Sequence, residues 1–168
     1  REEAVSLTYE RLKKFLKELE EENLLDGIYL CPETMGKSMQ IGTFKEVIDF
    51  CTLNEHLIPT FDFGHINALT QGSLKSSKDY EEIVKYCFEK LGEERTKKMH
   101  VHFSKIEYGP KGEIRHLNFD DQIYGPNFED FAPVVKKYNL EPRIICESSG
   151  YMAEDALTMK EIYNNLIN

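Results

Sequence analysis

The sequence contains no CxxC pair and no Cys/His spacing of the kind that closes a structural zinc site. Its four cysteines, Cys31, Cys51, Cys87 and Cys146, are too sparse for a small disulfide-stapled secreted scaffold. They are expected as free, mostly buried thiols in a reducing compartment. No apolar run approaches the ~20 residues needed to cross a bilayer. Basic residues are in deficit, with 21 Lys and Arg against 30 Asp and Glu and a net charge of −9. That balance counts against broad, sequence-blind coating of nucleic acid, which needs clustered Lys and Arg. It leaves open a local basic groove, or a negative pocket whose charge bound cations cancel. Low-complexity stretches and interdomain linkers are missing too. The expectation is one soluble, cytoplasmic domain over residues 1–168, with enough apolar residues (40%) for a real core.

Four short β-rich runs are present: "GIYLCPE" (27–33), "LIPTFDF" (57–63), "KMHVHFS" (98–104) and "PRIICES" (142–148). Amphipathic stretches separate them. In "SLTYERLKKFLKELEEENLL", Leu12, Phe15, Leu16 and Leu19 recur at helical spacing. "TFKEVIDFCTLN" opens on Thr43 with Glu46 three residues later, a capping-box pattern. "SSKDYEEIVKYCFEKLG" reaches a C-cap glycine at Gly92. "NFEDFAPVVKKYN" follows a long Gly-rich, charged loop, and "MAEDALTMKEIYNNL" comes last. Strands alternating with helices predict parallel βα units.

Polar residues cluster at one end of those strands. Glu33, Asp62 with His65, the histidines at 100 and 102, and Glu147 fall at or just beyond the carboxyl ends of the four runs. In parallel α/β folds, above all (β/α)8 barrels, that rim is where active sites assemble. Four successive strands ending in Glu, Asp or His would repel and desolvate one another unless cations held them. Carboxylate and imidazole suit zinc or manganese.

These residues resemble the endonuclease IV family (class II apurinic/apyrimidinic endonucleases) within the xylose-isomerase-like TIM barrel superfamily. "CPETMGKSMQIGTFKEV" looks like its Glu-bearing strand and Gly-rich turn, and "FDFGHINA" like its Asp-x-x-His motif. "MHVHFSK" resembles its Met-His-Leu-Asn-Asp-Ser-Lys strand, "RHLNF" its histidine loop, and "ICESSG" its last ligand strand. The resemblance implies two to three zinc ions in the intact protein. Glu33 would bridge two metals; Asp62, His100 and Glu147 would complete one shell, and His65 with His116 would hold another ion. Glu147 would be the general base, with Glu33 the second catalytic carboxylate. The implied activity is phosphodiester hydrolysis 5′ to an abasic site in DNA. Lys105 and Arg115 are candidate phosphate contacts.

Two departures stand out. Where the family places Asp two residues before the loop histidine, this chain has Ile114; Glu113, Asp120 or Asp121 could serve instead. Two histidine ligands of the family lie on strands preceding the Glu strand, and no such strands are found here. With about four of eight βα units, the chain reads as the carboxyl-terminal part of a longer barrel, or as a half-barrel that self-associates. The rival function is a sugar isomerase or epimerase of the same superfamily, with a single Mn or Mg held by Glu33, Asp62, a histidine and Glu147. An inactive barrel fragment is the third reading. In the isomerase pattern the ligand is the second histidine of His-x-His, which would be His102. The Ser104-Lys105 register selects His100.

Overall fold

A computed structural model describes residues 1–166. Its elements are α1 (Glu2–Glu21), α2 (Phe44–Cys51), β1 (Thr60–Asp62), α3 (Phe63–Leu69), α4 (Ser77–Lys97), β2 (His100–Phe103), β3 (Lys105–Gly109), β4 (Gly112–Leu117), α5 (Phe128–Lys137), β5 (Arg143–Cys146) and α6 (Met152–Asn165). Three strands form a parallel sheet in the order β1-β2-β5. The helices cover one face of it, as βα connections require.

The fourth expected strand, 27–33, is a bridged edge and not a full strand. It runs parallel to the segment entering β1 through the bridges Leu30↔Leu57 and Glu33↔Thr60. The Ile58 N–H donates to the Leu30 carbonyl at 3.1 Å and the Thr60 N–H to the Pro32 carbonyl at 2.8 Å. Pro32 has no N–H to return, and proline is tolerated only on such an edge.

Strand β2 shows why this sheet has two different faces. Val101 and Phe103 are fully buried against the helices, while His100 and His102 point to the opposite side and remain half-buried. The helix side is filled by aromatic rings. Phe63 packs on Phe131 at 4.6 Å and on Tyr80 at 4.9 Å between centroids, and Phe103 meets Phe128 edge-on at 5.1 Å.

Three local features differ from the sequence expectation or extend it. The capping box at Thr43 and Glu46 is present in full. Gly92 takes φ +76° and interrupts α4, but a further helical turn follows to Lys97. The long loop after β2 is a hairpin, β3 and β4 paired antiparallel, docked against α3. The four cysteines are unpaired, Cys51 and Cys87 buried and Cys31 and Cys146 half-buried. No helix among the described residues is long and apolar enough to cross a membrane.

Candidate metal centre

Asp62 ends β1 and is also the N-cap of α3. Its Oδ1 accepts the His65 backbone N–H at 2.8 Å, so the Asp-x-x-His spacing is first of all a helix-capping geometry. The same turn swings the His65 ring back over the strand end. Asp62 is fully buried, and its Oδ2 has no hydrogen-bond partner. Burial pushes its carboxyl up to about 6, offset by His65 and raised further by the charge of Glu147. A buried carboxylate oxygen without a partner costs free energy that a cation would offset.

His102 stands between two other carboxylates. Its Nδ1 lies 3.1 Å from Glu33 Oε1 and 3.2 Å from Glu147 Oε1. The hydrogen bond to Glu33, opposed by burial and aided by Glu147, raises the His102 imidazole above its ordinary value. Through the same bond Glu33 is held low. The ring therefore sits where Glu33 and Glu147 converge, on the same side of the sheet as Asp62.

His102, and not His100, thus lies against the carboxylates at the rim. The register explains the difference. Asp62 pairs with His102, whereas His100 pairs with Thr60 and Arg143, two residues nearer the amino end. At about 3.3 Å per residue that is roughly 7 Å from the rim. Burial, then the Arg143 cation, lowers the His100 imidazole, the opposite of its neighbour.

A second set of donors adjoins the first. Asp62, His65 and His116 each present a ligand atom within 4.8 Å of the others, as do Glu33, Asp62 and His102. The two groups share Asp62. Each histidine of the second group is tied down by its other ring edge. His65 Nδ1–H donates to the Thr34 carbonyl at 2.9 Å, and His116 Nδ1 is hydrogen-bonded to the buried Ser104 hydroxyl at 2.8 Å. Such partners fix tautomer and orientation at metal sites. Neither Thr34 nor Ser104 carried a sequence signal beyond its place in a motif.

Glu113 meets the second group from above. A β-bulge in the hairpin leaves Ile114 as the extra residue between the pairs Tyr108↔Glu113 and Glu107↔Arg115. Without it, Glu113 and His116 would lie on opposite faces. With it, Glu113 Oε2 comes to 3.5 Å from His65 Nε2, and Ile114 is left 59% exposed. Glu113 Oε2 and His65 Nε2 thus face the same space beside the second donor group. Asp120 is exposed, and Asp121 Oδ1 is taken by the N–H groups of Ile123 and Tyr124.

The expected phosphate contacts are not available as such. Lys105 is buried and its ammonium donates to the carbonyls of Phe119 and Asp121. Its cation organises the 118–124 loop. Arg115 is exposed but donates to Glu107 Oε2 at 2.6 Å.

Comparison with known proteins bears on the fold. The xylose isomerase-like TIM barrel family matches residues 1–162. An uncharacterised protein of Methanocaldococcus jannaschii is 34% identical over 164 residues, covering 95% of this chain and 58% of that protein. A "Probable endonuclease 4" of Enterococcus faecalis is 33% identical over 138 residues, covering 78% of this chain and 44% of that protein. The chain spans about half the length of these curated relatives. A parallel sheet whose strand ends gather carboxylates and imidazoles, matched by that family over nearly every residue, makes this chain a member of the xylose isomerase-like TIM barrel family.

Proposed function

We propose that the protein carrying this chain is a zinc-dependent endodeoxyribonuclease that hydrolyses the phosphodiester 5′ to abasic sites in DNA. One observation carries this reading: two donor groups share Asp62, with Glu33, His102 and Glu147 on one side and His65, His116 and Glu113 on the other. Adjacent divalent ions would lower the pKa of a water and stabilise both the attacking and the departing oxygen of a phosphoryl transfer. Glu147, half-exposed at the end of β5, is the general base that takes the proton from the attacking water. Glu33 and Asp62 hold the shared negative charge, and the Thr34 and Ser104 contacts keep both imidazoles oriented.

A nicking assay on a duplex with one abasic site, with and without chelator, tests the activity. Glu147→Gln should lower the rate by about 10²- to 10⁴-fold. Elemental analysis of the full protein should find two to three zinc ions.

The second reading, a sugar isomerase or epimerase with one Mn or Mg, is favoured by the place of His102. The second histidine of His-x-His lies against Glu33 and Glu147, the two carboxylates that would shuttle a proton between adjacent carbons. One ion per protein, no nicking and interconversion of ketoses would establish it.

A further inference from the structure

Two exposed lysines flank the place where the loop after Glu33 meets the β3–β4 hairpin. Lys37 follows Gly36, and Lys111 precedes Gly112. Two backbone hydrogen bonds join the loops here: the Glu113 N–H donates to the Gly36 carbonyl at 2.9 Å and the Ser38 N–H to the Lys111 carbonyl at 3.2 Å, which makes Lys37 and Gly112 an antiparallel bridge.

The seam is this close because both residues are glycine. At Gly112, with φ +98°, a Cβ would collide with the Gly36 carbonyl oxygen. At Gly36 a Cβ would sit 2.8 Å from Glu113 Cβ and 3.1 Å from His65 Cδ2. The backbone seam therefore touches the donor cluster, and each lysine is one residue from it.

Neither lysine has an acidic partner among the described residues; Lys13, Lys45, Lys75, Lys78, Lys90 and Lys160 also have none, so it is the place of Lys37 and Lys111 at the seam that sets them apart. With Lys105 buried and Arg115 neutralised by Glu107, Lys37 and Lys111 are left as unpaired cations beside the cluster. A chain of net charge −9, with carboxylates at the site itself, would repel a polyanion unless the rim offset that field.

We propose that Lys37 and Lys111 form a phosphate-anchoring edge, each contacting a backbone phosphate of the DNA strand that enters the metal centre. The inference rests on the nuclease reading. Main-chain links hold the backbone at both lysines, so the points from which their side chains reach out are fixed relative to His65.

The test is a salt titration of binding by the full protein to two duplexes, one intact and one with a single abasic site. Lys37→Ala and Lys111→Ala should each lower the slope of log affinity against log salt by about 0.9. Both should weaken the two duplexes by the same factor, since phosphate contacts are blind to the lesion. Lys14→Ala on α1 should leave the slope unchanged. An unaltered slope in the double variant, with a wild type that still nicks, would overturn the lysine edge alone. A loss confined to the abasic duplex would overturn it too. A wild type that neither binds nor nicks DNA would remove the nuclease reading and this edge together.

Discussion

Asp62 accepts the His65 N–H at 2.8 Å with one carboxylate oxygen and turns the other, without a partner, into the donor cluster. One side chain therefore both starts α3 and joins the two donor groups. The division of labour makes its two oxygens separable by mutation. Asp62→Asn keeps a capping oxygen but removes the buried charge. The metal-free variant should be more stable than the wild type by on the order of 1 kcal/mol, because the desolvated negative charge is removed. Its metal affinity should collapse. Thermal melts of both proteins with and without zinc would read the two effects, and a metal-free Asp62→Asn that melts well below wild type would contradict the account.

The histidine pair offers a direct comparison within one strand. His102→Asn should lower metal affinity by about 100-fold or more, since even outer partners of metal ligands cost about 10- to 100-fold. His100→Asn should leave affinity near wild type, because His100 sits beside Arg143 and belongs to neither donor group. Competition with a chromophoric chelator measures both. The reverse ranking would restore His100 as the ligand.

The bulge at Ile114 makes Glu113 testable against its neighbour. Glu113→Ala should remove one ion from the full protein. Adding Ile114→Asp should fail to restore it, because position 114 faces solvent. Metal counting on the two variants decides the matter, and recovery of the ion in the double variant would mean that the hairpin register is set by the motif and not by the bulge.

A pH effect is expected far from the metal centre. Burial would raise the Glu46 carboxyl, but the N–H groups of Gly42 and Thr43, the Arg1 guanidinium and the Thr43 hydroxyl together hold it low. A depressed folded value means that the unfolded chain binds the proton more readily. The contribution is complete above the ordinary glutamate range and is lost as pH falls through the folded value. Glu46→Gln should flatten that acid limb of the stability curve. Thr43→Ala should cost about 1 kcal/mol at neutral pH. Urea melts from pH 3 to pH 7 would show both, and an unchanged acid limb in Glu46→Gln would refute the assignment.

Much of this molecule was legible before folding. Alternating helix and strand patterns located three of the parallel strands, and the Thr43–Glu46 box was visible as a spacing. Glu33, Asp62, His65 and Glu147 could be read from their places at strand ends and His116 from the family resemblance, and all come together around Asp62. These features depend on short-range chemistry, such as capping, periodicity and strand length, which a linear sequence displays. The hairpin at 105–117 was read only as a loop, because its strands pair with each other and with α3 and not with the sheet.

Other features needed the third dimension. Residues 100 and 102 share one face of β2, so side-chain alternation could not rank them; inter-strand register did, by setting Asp62 beside His102. Lys105 reads as a cation free to reach phosphate, yet the carbonyls of a loop 14 and 16 residues away capture it. Glu113 required a bulge, and Lys37 and Lys111 required the approach of Gly36 to Gly112. The sequence by itself determined the βα pattern and the inventory of candidate ligands. Tertiary structure decided which donors converge and which cations stay free, because register, bulges and close backbone contacts depend on residues distant in the chain.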